Sequence, residues 1–141
     1  MHFNIFIAAC LMVATTAIHA AGMVLVMQMS RAPKIHPGNR LRRLSLVSGV
    51  VILMFLASVL EVLVWASTYL ALNAIDGFEQ AMYFSMVTYT TLGYGDVVLE
   101  EHWRLLSSFE AANGIIMFGW TTAIVIAVLQ RIYFGETPKS S

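Results

Sequence analysis

The chain has 141 residues, of which 59% are hydrophobic and 11% charged, and its formal net charge is zero. So little charge cannot cover the surface of a water-soluble domain of this length, and the lack of a basic excess argues against nucleic acid as a partner. The composition is that of an integral membrane protein with one small domain at most.

Three apolar runs are each long enough to cross a bilayer as a helix. The first extends from about Phe3 to Met29. No Lys or Arg precedes it and it is longer than an ordinary signal core, so residues 1–30 are read as a retained, additional span. This span has no arginine ladder and is not read as a voltage sensor of the usual kind. Cys10 within it is the only cysteine, which rules out an intrachain disulfide. The linker over residues 31–43 then carries Arg31, Lys34, Arg40, Arg42 and Arg43 with no acid, and the positive-inside rule assigns it to the cytoplasm. It reads as a topology anchor, or as a site for anionic lipid headgroups, each basic residue near the surface attracting them by about 1 kcal/mol.

The second run covers residues 44–72 and the third residues 103–131. Between them Asp76, Glu79, Asp96, Glu100 and Glu101 form an acidic loop, which with the basic linker places the N-terminus and this loop outside. The tail over residues 132–141 carries Lys139, is read as cytoplasmic, and is too short for a ligand-binding domain. Asp76 and Glu79 have the spacing of a capping box at the start of a helix over residues 77–89. That helix is too short to span and is read as re-entrant. Irregular backbone inside a bilayer persists only where protein buries it or where it lines a water-filled cavity. The heptapeptide TTLGYGD at residues 90–96 follows directly and is therefore expected to line a pore.

A pore of this kind needs oxygens that replace the hydration shell of an ion without an anion that would trap it. Gly93 and Gly95 can adopt positive φ, which lets successive carbonyls face one axis. The short helix directs its negative C-terminal end at the same axis and favours a cation there.

A span, a short helix, TTLGYGD and a second span together resemble the pore module of potassium channels, whose filter is usually written TVGYG. The resemblance covers residues 44–131. It implies K⁺ ligands from Thr91, Leu92, Gly93 and Tyr94, with the Thr91 hydroxyl at the inner end. Tyr83, Val87, Gly95 and Asp96 would support this filter: Tyr83 with Phe84 matches the aromatic pair of the pore helix, Val87 replaces a glutamate found in some members, and Asp96 ties the filter from outside. Tyr94 would point its ring away from the pore. Each chain supplies one of four filter strands, so the resemblance implies a homotetramer with K⁺ in the filter and no cofactor. Leu92 stands where valine is commoner, which bears on filter packing and on the degree of K⁺ over Na⁺ selectivity. Ile115, Phe118, Thr122 and Ile126 match the cavity-lining face of the inner helix, and Gly114 and Gly119 fall at hinge or close-packing positions. The extra first span is similar to that of small bacterial channels with three spans, implying a bacterial inner membrane.

Ionisable residues inside spans are costly and therefore candidates for function. At about 1.5 Å per residue, Glu110 lies roughly 10 Å and Glu61 roughly 16 Å below the outer ends of their spans. Both fall behind the short helix, within reach of hydroxyls from Ser85, Thr88 or Tyr89. Asn113 faces a similar side to Glu110, and His19 sits deeper. Two readings stand for this set: acids satisfied structurally by neighbouring hydroxyls, or a network that takes part in gating. Tyr69, Trp103 and Tyr133 read as interface anchors, Trp65 and Trp120 as packing residues, and His102 as a solvated loop edge.

The sequence thus predicts an all-α membrane protein with three transmembrane helices and a re-entrant pore helix. It is expected to conduct K⁺ passively as a tetramer. The alternatives are a weakly selective cation channel and a non-conducting accessory or scaffold subunit. An enzyme is not expected, because no zinc-type His/Glu spacing, intramembrane aspartate pair or phosphate-binding glycine loop occurs.

Overall fold

Helices of 29, 32 and 31 residues, each long and apolar enough to cross a membrane, dominate the computed structural model. It describes residues 2–30 and 40–134. In chain order these are α1 (His2–Ser30), α2 (Arg40–Ala71), the short α3 (Phe78–Tyr89), a single 3₁₀ turn (Glu101–Trp103) and α4 (Arg104–Phe134). The described residues contain no strand, and the fold is all-α. Arg31, Lys34 and the rest of residues 31–39, with the lipid-headgroup reading attached to them, lie outside the described residues, as does the tail from residue 135.

Three polar pairs fix the direction of α1. Asn4 donates to the His102 carbonyl, Asn113 donates to Thr15 at 3.0 Å, and His19 meets Thr121 at 3.2 Å. Partners that advance together along both segments mean that α1 runs parallel to α4. It runs antiparallel to α2, with Gly22 beside Ala57 and His19 beside Glu61. The start of α1, the end of α2, the start of α4 and the TTLGYGD segment therefore share one end of the bundle.

Lipid supplies no hydrophobic drive between helices, so small residues and polar pairs must bring them together. Gly22 does this between α1 and α2: a Cβ built there would already touch Ala57 Cβ at 3.4 Å. Around these contacts one apolar cluster packs near the TTLGYGD end, with Trp65, Tyr69, Phe84, Tyr89 and Leu106 at its centre. A smaller one at the opposite end joins Val26, Val50, Met54, Ile124 and Val128. Phe3, Phe6 and Val13 of α1 and Ile52 and Phe55 of α2 point away from the bundle.

The start of α3 differs from the expected capping box. Its N-cap is Gly77, at φ 86°, and no side chain caps the helix. Asp76 precedes the N-cap and its carboxylate does not cap the helix, although Glu79 still lies in the first turn near the positive helix end.

Candidate functional site

The backbone beyond α3 alternates in handedness. Thr91, Gly93 and Gly95 have φ of 59°, 57° and 77°, whereas Leu92 and Tyr94 between them keep negative φ. For the glycines this costs little. For Thr91 it is a strained state, because a β-branched residue at positive φ carries a penalty of about 1–3 kcal/mol. The segment is fastened to the C-terminal turn of α3: Thr90 N–H donates to Met86, Thr91 N–H to Thr88, and Leu92 and Gly93 N–H both to Val87, at 2.9 to 3.3 Å. The carbonyls of Thr91, Leu92, Gly93 and Tyr94, by contrast, accept no hydrogen bond from the described residues. The amides are used to hold the strand and the carbonyl oxygens remain available. The Leu92 and Tyr94 side chains are 55% and 68% exposed in the single chain.

At the outer edge the Tyr83 hydroxyl donates to Asp96 Oδ2 at 2.6 Å, tying the residue after the second glycine back to α3. Both groups are exposed. That bond holds the Asp96 carboxyl below its ordinary value and the Tyr83 phenol above its own. Val87 contributes through its carbonyl, which takes the two amides named above.

Behind α3 the buried polar residues meet. Ser85 and Tyr89, one turn apart on one face of α3, are both buried. Each reaches a carboxyl group: Ser85 to Glu110 and Tyr89 to Glu61. Glu110 also accepts from Tyr69 at 2.7 Å, and Glu61 pairs with His19 Nδ1 at 2.8 Å. Glu61, Glu110, His19 and Asn113 are each 0% exposed. Ser85 faces two acceptors, Glu110 and the Val62 carbonyl at 3.0 Å, and has one hydrogen to give. Both contacts form if Glu110 carries a proton and donates it to Ser85. Thr88, the third hydroxyl considered from sequence, bonds neither acid; its carbonyl takes the Thr91 amide.

Tyr69 departs from its expected role as an interface anchor. It is fully buried, bonds Glu110, and packs edge-on against Phe84 at 5.2 Å. Asn113 does not join the Glu110 group but pairs with Thr15 of α1, and its Oδ1 has no partner among the described residues.

On α4, Ile115, Phe118, Thr122 and Ile126 all lie on the face turned away from the rest of the chain, while Leu106, Glu110, Asn113, Met117 and Ile124 form the buried face. The Phe118 ring still reaches back to Tyr89, edge-on at 5.5 Å. Gly114 is a close-packing position: a Cβ there would lie 1.9 Å from the Tyr89 carbonyl oxygen. Gly119 meets nothing within 4 Å inside the chain. α4 is continuous through both glycines.

With this geometry in place, comparison with known families gives a match: a family model described as "Ion channel" covers residues 57–131. The chain belongs to this ion channel family. No curated protein and no solved structure matches it significantly. The match begins within α2, so α1 lies wholly outside it.

Proposed function

We propose that the protein is a potassium-selective channel, a homotetramer in which the carbonyls of Thr91, Leu92, Gly93 and Tyr94 and the Thr91 hydroxyl bind K⁺ as it passes down its gradient. The observation that carries this reading is the positive φ of Thr91 in step with Gly93 and Gly95. A strained β-branched residue persists only where the surroundings fix it, and strain of this kind concentrates at functional segments. Alternating handedness is the way an extended strand turns consecutive carbonyls toward one side. The unclaimed oxygens and the fastened amides fit ligation of a cation by backbone dipoles. One chain offers a single such strand, which is why four copies are required, and the exposed face of Ile115, Phe118, Thr122 and Ile126 would line their shared cavity. From the charge of the loops the acidic end faces outside and residues 31–43 face the cytoplasm; the resemblance to small three-span channels suggests a bacterial inner membrane.

The test is purified chain in liposomes. Tetramers should carry K⁺ flux, and the reversal potential in mixed K⁺ and Na⁺ should follow the K⁺ gradient. A potential indifferent to K⁺ would leave a weakly selective cation channel, the reading Leu92 raises. Folded tetramers that carry no flux would point to an accessory subunit.

A further inference from the structure

A helix that only shields a pore from lipid would bury an apolar seam. α1 buries Ala8, Leu11, Gly22 and Val26 along the face it turns to α2 and α4, and on the same face it also buries Asn4, Thr15 and His19. Polar groups buried in a membrane are costly unless paired, and each of these three is paired. His19 has the most consequential partner. Its Nδ1 lies 2.8 Å from Glu61 Oε1, its Nε2 lies 3.2 Å from the Thr121 hydroxyl, and its ring packs 5.2 Å from Trp120. The other oxygen of Glu61 accepts from Tyr89, the last residue of α3. The turn that Tyr89 closes holds the amides of Thr90 to Gly93.

We propose that His19 is a positioning residue for the ion-binding segment: α1 reaches that segment through His19, Glu61 and Tyr89. The proposal rests on the reading of residues 90–96 as the filter. A glutamate side chain held by one hydroxyl can still turn about its own torsions. A second donor from another helix removes that freedom. The Thr121 hydroxyl can donate or accept, so it holds the far ring nitrogen while Nδ1 stays on Glu61. Without the His19 donor, Glu61 keeps one partner and Tyr89 loses a fixed acceptor. The end of α3 then loosens, although no residue of the segment itself has changed.

Hydrogen–deuterium exchange over residues 86–96 of the full chain in lipid nanodiscs tests this. His19→Ala and Tyr89→Phe should each speed exchange of the Thr90 to Gly93 amides about tenfold, the order expected for losing one hydrogen bond to a buried carboxyl group. The double variant should exchange no faster than the faster single. His19→Asn, whose amide nitrogen stands where Nδ1 stands, should restore slow exchange. His19→Gln, whose nitrogen stands at the Nε2 position, should not. Thr15→Val, on the same seam, should leave these amides unchanged. Wild-type exchange in folded His19→Ala, additive singles, or Asn and Gln behaving alike would each overturn the proposal. These readouts do not need current, so a wild-type chain that fails to conduct K⁺ would count against the proposed function alone. Where it conducts, the K⁺/Na⁺ permeability ratio should fall in His19→Ala and recover in His19→Asn.

Discussion

Two buried carboxyl groups hold one face of the same short helix, and they differ in where their other partners come from. Glu110 is satisfied within the family-matched region, by Ser85 and Tyr69. Glu61 takes Tyr89 from that region and His19 from the added helix. They differ in hydrogen count as well. The Ser85 hydroxyl has two acceptors to serve, so a proton on Glu110 completes the set, whereas the two oxygens of Glu61 face the Tyr89 hydroxyl and the His19 ring nitrogen, each able to donate to it. One anchor is therefore intrinsic to the ion channel module and the other is shared with α1. What differs is not burial, which is complete for both, but which helices would feel the loss.

The largest effect is expected where the frame of both anchors would break. Gly114→Ala puts a methyl group 1.9 Å from the Tyr89 carbonyl oxygen, and two helix backbones cannot yield as a flexible side chain would. Destabilisation of about 3 kcal/mol or more is expected from such overpacking. Thermal unfolding in a fixed detergent would measure it, with Gly119→Ala, which meets nothing inside the chain, as the mild counterpart. Equal melting temperatures for the two variants would refute the close-packing role of Gly114.

Removing either acid comes next. Glu110→Ala strands the Tyr69 hydroxyl, leaves Ser85 only the Val62 carbonyl and opens a cavity, and Glu61→Ala takes the carboxyl partner from Tyr89 and from His19 Nδ1; each should cost about 3 kcal/mol. The Gln variants sharpen the comparison. At Glu110 the amide offers an acceptor to Tyr69 and a donor to Ser85, matching the protonated acid, so little stability should be lost. At Glu61 the same amide is matched only if the His19 ring moves its proton to Nε2, so that Nδ1 accepts from the amide while Thr121 accepts from Nε2, and a loss of up to about 1 kcal/mol is expected. Unfolding midpoints in the opposite order would mean that the two hydrogen counts are reversed.

Much of this plan is legible in the sequence, because the properties involved are local. Three spans follow from the length of three apolar runs, and the all-α class follows from them. The positive φ of Gly93 and Gly95 follows from glycine itself, but that of Thr91 does not, since side-chain preference argues against it and only the alternating strand demands it. Depth counting along the spans puts Glu61 and Glu110 at the level of Ser85 and Tyr89. Depth does not give azimuth, so the sequence admits Thr88 beside Ser85 and Tyr89 and reads Tyr69, near a helix end, as an interface anchor instead of a partner of Glu110. The polar seam of α1 was visible in principle: Asn4, Thr15 and His19 recur at helical spacing on one face. Their partners are set by the packing of three helices, which no single segment encodes.

The smallest effect concerns the front of α3, where an exposed pair contrasts with the buried ones behind it. The Tyr83 hydroxyl bond to Asp96 lowers that carboxyl below its ordinary value. A depressed carboxyl contributes its tie above the ordinary carboxylate value and loses it only as the pH falls through the lowered one. The tie is thus intact at neutral pH and should fail only in acid, once the pH falls below the ordinary carboxylate range. Tyr83→Phe removes the donor, so the Asp96 titration should move back up toward the ordinary range. Carboxyl-carbon NMR of Asp96 in both proteins measures this directly. The wild-type midpoint should be the lower of the two; equal midpoints would mean that solvent, not Tyr83, serves Asp96.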